Sequence, residues 1–290
     1  MKEFNFYSPG TLEELIAVLD DTGGRLVAGG TDLIPRMRRG LVSSDHLIDV
    51  GRISDLHFIR EQYGQIVIGA LTTHQELVDS TLLQVTLPSL VQAAATVGCC
   101  QTRCRGTLGG NIANASPAAD TIPPLLTAGA SVHLAHCCGE RTIALDEFLV
   151  GPGITSLKRG EFIHSISYSI LSGSWGTAFQ KLGLRSGMAI SVANAAALIV
   201  LDAGGKIAAA RLALGSVAPT VVVSASAEAV LLGQDPTPEL MRSAAQACLT
   251  DIDPISDVRA TKDYRKHAAT VLARRVLETS VVQARRRKSV

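Results

Sequence analysis

Aromatic side chains are scarce in this chain, and neither sign of charge is in excess. Phe, Trp and Tyr make up 4% of the 290 residues, and 27 basic residues face 26 acidic ones, for a formal net charge of +1. The chain therefore offers few flat surfaces on which a planar ring could stack. It also has no overall field that would attract nucleic acid or an anionic membrane. This composition disfavours nucleic-acid binding.

Long apolar runs and a disulfide framework are missing too. Residues 1–5 carry no apolar stretch after their charge, and the longest weakly polar run, 189–201, is interrupted by Ser191 and Asn194. The six cysteines are clustered rather than spaced as in small secreted domains. Together these absences predict a cytoplasmic protein without membrane insertion.

Common motifs of catalysis and phosphate binding do not occur. The sequence holds no G-x-G-x-x-G and no Walker A pattern, so neither a Rossmann site nor a P-loop is supported. The seven histidines show neither H-x-x-x-H nor H-E-x-x-H spacing and are interpreted as surface or strand residues. Ser191 lies outside any G-x-S-x-G elbow, which leaves hydrolase chemistry without support. We predict no catalytic residue and no metal ligand on this chain.

The sequence does contain two glycine pairs with small polar flanks. They are Ala28-Gly29-Gly30-Thr31-Asp32 and Thr107-Leu108-Gly109-Gly110-Asn111, the second followed by Ser116-Pro117 and Asp120. Paired glycines let backbone N–H groups converge on an anion, although either pair alone also fits an ordinary turn. Two such turns facing each other would hold a dinucleotide, with Asp32 capping the N–H groups of its own loop. We refer to residues 28–33 and 107–111 as the first and second glycine segments.

Helix and strand signals alternate irregularly, which predicts an α+β fold. Capping boxes at Thr11-x-x-Glu14 and Thr73-x-x-Glu76 start helices, and Pro88 starts another. Strand-like runs are predicted at 25–28, 47–50, 66–69, 131–134, 162–170, 190–201 and 207–214, and further helices at 225–232, 238–249 and 264–281. Shifts in texture near residues 55 and 176 predict three units, 1–55, 56–175 and 176–290.

The glycine segments also carry a family resemblance. The string Ala28-Gly29-Gly30-Thr31-Asp32-Leu33, with Gly106-Thr107-Leu108-Gly109-Gly110-Asn111-Ile112 and Ser116-Pro117-x-x-Asp120, resembles the FAD-binding medium subunit of molybdenum hydroxylases of the xanthine dehydrogenase and carbon monoxide dehydrogenase type. The resemblance continues through Phe179-Gln180-Lys181 to residues 257–265. It implies a two-lobed FAD-binding domain of the PCMH type, with lobes 1–55 and 56–175. A C-terminal α+β domain of the carbon monoxide dehydrogenase flavoprotein type follows at 176–290.

The resemblance assigns cofactor contacts to particular residues. The residues that it places at FAD are Leu26, Val27, Ala28, Gly29, Gly30, Thr31, Asp32, Leu33, Thr107, Gly109, Gly110, Asn111, Ser116, Asp120, Phe162 and Lys181. The two glycine segments would wrap the diphosphate and ribityl chain, and Asp120 would contact the ribityl or flavin end. Phe162 and Lys181 would approach the isoalloxazine ring, where a lysine stabilises negative charge on reduced flavin.

The resemblance also implies a place in a hetero-oligomer. A large subunit would carry the molybdenum cofactor and a small subunit two [2Fe-2S] clusters, while this chain would pass electrons through FAD to NAD or another acceptor. Two alternatives stay open. The chain could be a flavin-free scaffold or assembly subunit of such a complex, or a free-standing FAD oxidoreductase.

One stretch departs from the family pattern. Relatives commonly carry Ile-Arg-Asn before the second glycine segment, whereas this chain reads Gln101-Thr102-Arg103-Cys104-Arg105. Cys104 thereby joins Cys99 and Cys100, and Cys137-Cys138 follow in the same lobe. Some relatives hold an extra [4Fe-4S] cluster in an inserted segment of this subunit, and no insertion is seen here. Adjacent cysteines are poor chelates for a tetrahedral metal, so no metal is predicted at this cluster, although whether it binds anything stays open.

Overall fold

Three main β-sheets follow one another along residues 2–287, the part of the chain that the computed structural model describes. A fourth, two-stranded sheet is formed by β8 and β9. The strands are β1 (Asn5–Tyr7), β2 (Arg25–Val27), β3 (His46–Asp49), β4 (Ile59–Gln62), β5 (Gln65–Gly69), β6 (Ser131–His136), β7 (Gly139–Ala144), β8 (Leu149–Gly151), β9 (Ile154–Thr155), β10 (Phe162–Ser169), β11 (Ser174–Gly183), β12 (Ser191–Leu201), β13 (Ile207–Gly215) and β14 (Val222–Val223).

Helices surround these sheets. They are α1 (Leu12–Thr22), α2 (Leu33–Arg38), α3 (His74–Asp79), α4 (Thr81–Thr86), α5 (Pro88–Ala95), α6 (Cys100–Arg103), α7 (Leu108–Asn114), α8 (Ile122–Thr127), α9 (Leu145–Phe148), α10 (Ala225–Leu231), α11 (Pro238–Ala247) and α12 (Lys262–Arg287). The longest described helix, α12, is too rich in charge to be a bilayer span, and none of the other described helices qualifies as one.

The first lobe is a small parallel sheet of order β1-β3-β2 with α1 packed on it. The helix α1 begins at Thr11, whose hydroxyl accepts the Glu14 N–H, as the capping box predicts. The Glu14 carboxylate accepts the N–H of Gly10 instead of that of Thr11. The chain leaves α1 through Gly23, which has a left-handed φ of 59°.

The second lobe is an antiparallel sheet of order β4-β5-β10-β6-β7, with helices against it. The capping box at Thr73 is present in both directions and starts α3, and Pro88 begins α5. The two lobes share one apolar cluster, in which Leu19 and Ile48 of the first lobe join Leu71 and Phe162 of the second. This shared burial fixes the lobes against each other.

The C-terminal sheet, of order β11-β12-β13-β14, packs against α12. Alanines fill much of β12, among them Ala193, Ala195 and Ala197, and small side chains let a long helix lie close to the sheet. The predicted hairpin of residues 190–201 and 207–214 is confirmed as β12 and β13. The ten-residue strand β11 was not predicted from the sequence.

Around the second glycine segment, the expected turn is wrong. Gly109 and Gly110 lie in the first turn of α7, because Thr107 caps that helix by accepting the Gly110 N–H. The left-handed residue comes only after the helix, at Ala115, where φ is 45°. A Gly-Gly pair in this chain is therefore helical in one segment and a turn in the other.

Candidate cofactor site

The first glycine segment packs against the chain just before the second segment. A Cβ added at Gly29 would lie 1.8 Å from the carbonyl oxygen of Arg105, just before the second segment. Only a residue without a side chain tolerates such a close approach. The next residue, Gly30, has a left-handed φ of 69°, which turns the chain from β2 towards α2. The first segment therefore lies against residues 105 and 106, directly before the second segment.

The first segment presents a run of open backbone donors. Among residues 2–287, no acceptor receives the N–H groups of Gly29, Gly30, Thr31, Asp32 or Leu33. These groups lie at the beginning of α2, where the helix dipole also favours negative charge. Such a row of N–H groups suits a diphosphate.

Asp32 does not cap its own loop, contrary to the prediction. Its side chain makes no capping hydrogen bond, and its carboxylate lies 3.5 Å from Arg36 Nη1. The Asp32 backbone is in the right-handed helical region rather than the extended conformation typical of a capping residue, so its side chain points along α2. The loop N–H groups therefore remain open to another acceptor.

The second segment uses its backbone donors within the protein. The N–H of Leu108 donates to Thr72 O at 2.9 Å, and the N–H of Gly109 donates to Ala70 O at 2.9 Å. The N–H of Gly110 goes to the capping hydroxyl of Thr107 at 3.1 Å. What this segment offers a ligand are side chains, chiefly Asn111, whose amide oxygen accepts the Thr121 hydroxyl at 2.8 Å. The Asn111 amide nitrogen has no acceptor within residues 2–287.

An arginine that the sequence reasoning missed joins the two segments. Arg36, in α2, donates from Nη1 to the Asn114 side-chain oxygen in α7 at 3.2 Å. This contact links α2, which begins at the end of the first segment, with α7, which contains most of the second. Its residues are separated by 78 positions, so no local sequence pattern could reveal it.

Asp120 and Lys181 are brought together as a nearly buried ion pair. Lys181 Nζ lies 2.5 Å from Asp120 Oδ2, and each side chain is 8% exposed. The other carboxylate oxygen accepts from Ser191 at 2.6 Å and from the Asn194 amide at 3.0 Å. Lys181 also donates to Thr96 O at 3.2 Å. Such full pairing is what a charge needs in a low-dielectric interior.

Ser191 and Asn194 are further residues that the sequence reasoning missed. Both lie on β12, where Asn194 stands directly opposite Lys181 of β11, and both are buried. The signal was present in the sequence, since these two residues interrupt an otherwise apolar run. A polar side chain in a buried strand needs a hydrogen-bond partner.

His74, the first residue of α3, packs against Gly106, which precedes the second segment. A Cβ at Gly106 would be 3.2 Å from His74 Cδ2 and 3.3 Å from Thr31 Oγ1. The ring is 3% exposed, and Nδ1 has no hydrogen-bond partner among the described residues. Burial, with the nearby Arg103 charge, lowers the pKa of His74 to about 4. The interpretation of every histidine as a surface or strand residue is wrong for His74.

Two predicted contact residues have their contacts within the protein. Phe162 is 2% exposed and packs in the apolar cluster that joins the lobes. The Ser116 hydroxyl accepts the Ala118 N–H at 3.2 Å in the turn after α7. Leu26 and Val27, on β2, lead directly into the first segment. The assignments of these residues to FAD stay predictions.

Comparison with known proteins identifies the family. Residues 2–168 match the family described as the FAD binding domain in molybdopterin dehydrogenase. Residues 178–280 match the family described as the CO dehydrogenase flavoprotein C-terminal domain. The carbon monoxide dehydrogenase medium chain of Hydrogenophaga pseudoflava is 33% identical over 282 residues, covering 96% of each chain. The xanthine dehydrogenase FAD-binding subunit of Escherichia coli O157:H7 is 29% identical and covers 97% of each chain.

The fold comparison agrees with the sequence comparison. The structure of carbon monoxide dehydrogenase from Hydrogenophaga pseudoflava matches with a TM-score of 0.93 at 33% identity, over 97% of this chain and 98% of that one. The predicted fold class, the resemblance and the FAD cofactor are confirmed. This chain belongs to the family of FAD-binding medium subunits of xanthine dehydrogenase-type molybdenum hydroxylases.

Proposed function

We propose that this chain passes electrons from [2Fe-2S] clusters of a partner subunit through FAD to NAD or another acceptor. The observation that carries the proposal is the row of five open N–H groups in the first glycine segment, in a chain of an FAD-binding family. When bound, FAD supplies the change between two-electron and one-electron transfer. The residues of this chain hold, orient and shield it.

The first segment would hold the diphosphate. Hydrogen bonds from N–H groups to a charged phosphate contribute about 1.5 to 3 kcal/mol each, so a few of the five donors suffice without a lysine. Thr107 and Asn111 would add side-chain contacts from the opposite side. Gly109 and Gly110 would act indirectly, by letting α7 pack where it holds Thr107 and Asn111, because their own N–H groups already have acceptors. We keep all predicted contact residues, from Leu26 to Lys181, as the proposed site.

The Asp120–Lys181 pair would orient the flavin end. An ammonium group has three N–H donors, and Lys181 uses two of them, on Asp120 and on Thr96 O. One donor is left for an oxygen or ring nitrogen of the isoalloxazine. Because Asp120 balances the lysine charge, reduced flavin would meet a directed hydrogen bond rather than an unpaired cation.

The proposed partners are a large subunit with the molybdenum cofactor and a small [2Fe-2S] subunit. The names of the relatives, which are medium chains or FAD-binding subunits of dehydrogenases, support them. We also propose a cytoplasmic location, supported by six cysteines that are all free thiols in the structure.

The proposed domain bounds remain 1–55, 56–175 and 176–290, supported by sheets that fall almost entirely within these ranges.

The test is analysis of the complex that this chain forms in its native host. A tagged chain is purified without denaturation, and its co-purifying proteins, flavin, iron and molybdenum are measured. We expect two further subunits, with molybdenum and iron present and FAD, not FMN, released from the tagged chain. A complex without flavin would instead show a scaffold subunit. A flavin-loaded chain without partners that oxidises NADH steadily would show a free-standing oxidoreductase.

A further inference from the structure

Two adjacent thiols occupy the tip of the hairpin between β6 and β7. Cys137 and Cys138 form the connection between His136 and Gly139, which pair across the hairpin. Gly139 has a φ of 131°, so the tight turn depends on glycine at that position. Both cysteines are exposed, and their Sγ atoms are 3.5 Å apart.

Two further side chains at this turn, those of His136 and Asp20, carry groups that can bind a metal. His136 Nδ1 accepts the backbone N–H of Cys138 at 3.1 Å, which holds the ring beside the turn. One ligand atom from each of His136, Cys137 and Cys138 lies within 4.8 Å of the other two. Asp20, near the end of α1, places Oδ1 3.5 Å from Cys137 Sγ. The set comprises one imidazole, two thiols and one carboxylate.

Two of these spacings, both from Cys137 Sγ, are close to those of a tetrahedral metal site. With Zn–S bonds of about 2.3 Å, two sulfur ligands of a tetrahedral zinc ion lie about 3.8 Å apart, and a sulfur and an oxygen slightly less. The observed sulfur–sulfur and sulfur–oxygen separations, both 3.5 Å, need only a few tenths of an ångström of adjustment. The turn is exposed, so its side chains can make that adjustment without moving a core.

We propose that Asp20, His136, Cys137 and Cys138 bind a thiophilic divalent cation of the zinc type. Both thiols release their protons to solvent on binding, and the two thiolates and the carboxylate then surround the cation with a compensating charge. Adjacent cysteines alone are poor chelates, which is why the sequence predicts no metal here. The structure adds His136 to the two thiols and places Asp20, 117 residues away in sequence, beside Cys137.

This site would connect the first and second lobes. Asp20 belongs to α1 of the first lobe, and the hairpin belongs to the second. A bound ion would therefore tie the two lobes together. Because the ion binds the folded form, it should also raise the melting temperature.

Cobalt(II) serves as the spectroscopic probe for the site. The purified chain, stripped of metal and kept reduced, is titrated with Co²⁺ and followed by its thiolate-to-cobalt absorption. We expect one equivalent to bind in a tetrahedral spectrum, displaced by Zn²⁺. In the Cys137→Ser/Cys138→Ser variant, Co²⁺ should bind on the order of 100-fold more weakly or not at all.

The chain offers a matched control in its other thiol pair. Cys100 and Cys104 are also exposed, with Sγ atoms 4.0 Å apart, so Cys100→Ser/Cys104→Ser removes the same number of thiols. This control should keep the full cobalt spectrum. The proposal is overturned if the wild-type chain gives no thiolate band, or if the control loses it as completely as the Cys137/Cys138 variant.

Asp20→Asn tests the connection between the lobes. Asp20 is exposed, so the variant should fold with an unchanged melting temperature in the absence of metal. Zn²⁺ should raise the melting temperature of the wild-type chain and raise that of Asp20→Asn less. An equal rise in both would remove Asp20 from the site. FAD content, measured in the same samples, should be the same in all variants, which separates this result from the proposed function.

Discussion

The two glycine segments share a Gly-Gly pair and use it in opposite ways. In the first, Gly29 makes room for the backbone of Arg105 and the following N–H groups stay open. In the second, Gly109 makes room for Ala70, and its N–H is already bonded there. The first segment is therefore built to receive an anion and the second to pack a helix. A glycine pair in a sequence indicates a steric requirement, and only the acceptors around it show which one.

The largest effect is expected at the contact between the segments, from Gly29→Ala. The new Cβ would lie 1.8 Å from the Arg105 carbonyl oxygen, a backbone atom that cannot rotate away. We expect a loss of more than about 3 kcal/mol in unfolding free energy and no retained FAD, because the segments must separate. Chemical denaturation and flavin absorbance measure both.

The matched control for this change is Gly187→Ala. Gly187 has no left-handed φ, and a Cβ there would meet no heavy atom within 4 Å. It should keep both stability and flavin. If Gly29→Ala behaved like this control, the close approach of the segments would be wrong.

The next effect concerns His74 and depends on pH. Its folded pKa of about 4 lies below the ordinary 6.5, so the unfolded chain takes up the proton first. Stability should fall as the pH falls from about 6.5 to about 4, by about 3 kcal/mol in total. His74→Leu should remove this part of the slope, and His267→Gln, at an exposed histidine, should not. Unfolding measured across this pH range decides, and equal slopes in all three proteins would refute the account.

Gly109→Ala tests the difference between the segments from the side of the second one. Its Cβ would lie 2.7 Å from Ala70 Cβ and 2.8 Å from Ala70 O. We expect a loss of about 2 kcal/mol in stability from overpacking, with weaker flavin binding only in proportion to the unfolded fraction. Flavin affinity measured well below the melting temperature would then be near that of the wild type. A selective loss of affinity in a fully folded protein would give the second segment the role assigned to the first.

The smallest effect is expected at the cap of α7. Thr107→Val keeps the shape of the side chain and removes the hydroxyl that accepts the Gly110 N–H. It should cost about 1 kcal/mol in unfolding free energy, and Thr107→Ser should restore most of it. A Thr107→Ser variant as unstable as Thr107→Val would show that the cap contributes little.

Most of the helices and strands could be predicted from short-range sequence signals. Capping at Thr11 and Thr73, proline at the start of α5 and the hairpin of β12 and β13 are short-range effects, and the structure confirms each of them. The second glycine segment was expected as a turn because Gly-Gly is a poor helix sequence. The Thr107 cap and the packing of Gly109 against Ala70 overrode that propensity.

The site was less accessible to sequence reasoning because its contacts are long-range. The family resemblance named Asp120 and Lys181, but not that they form a pair completed by Ser191 and Asn194. The burial of His74 also depends on the arrival of Gly106 from another part of the chain. The N–H groups of Leu108 and Gly109 are not open, because they donate to Thr72 O and Ala70 O. No spacing pattern in the sequence predicts those two contacts.

Amide hydrogen exchange with and without FAD tests the difference between the segments most directly. The N–H groups of residues 29–33 should exchange quickly in the free chain and become strongly protected when FAD binds. Those of residues 108–110 should be protected in both states, because their acceptors belong to the protein. An unchanged rate at residues 29–33, or an equal gain in protection at residues 108–110, would contradict the account.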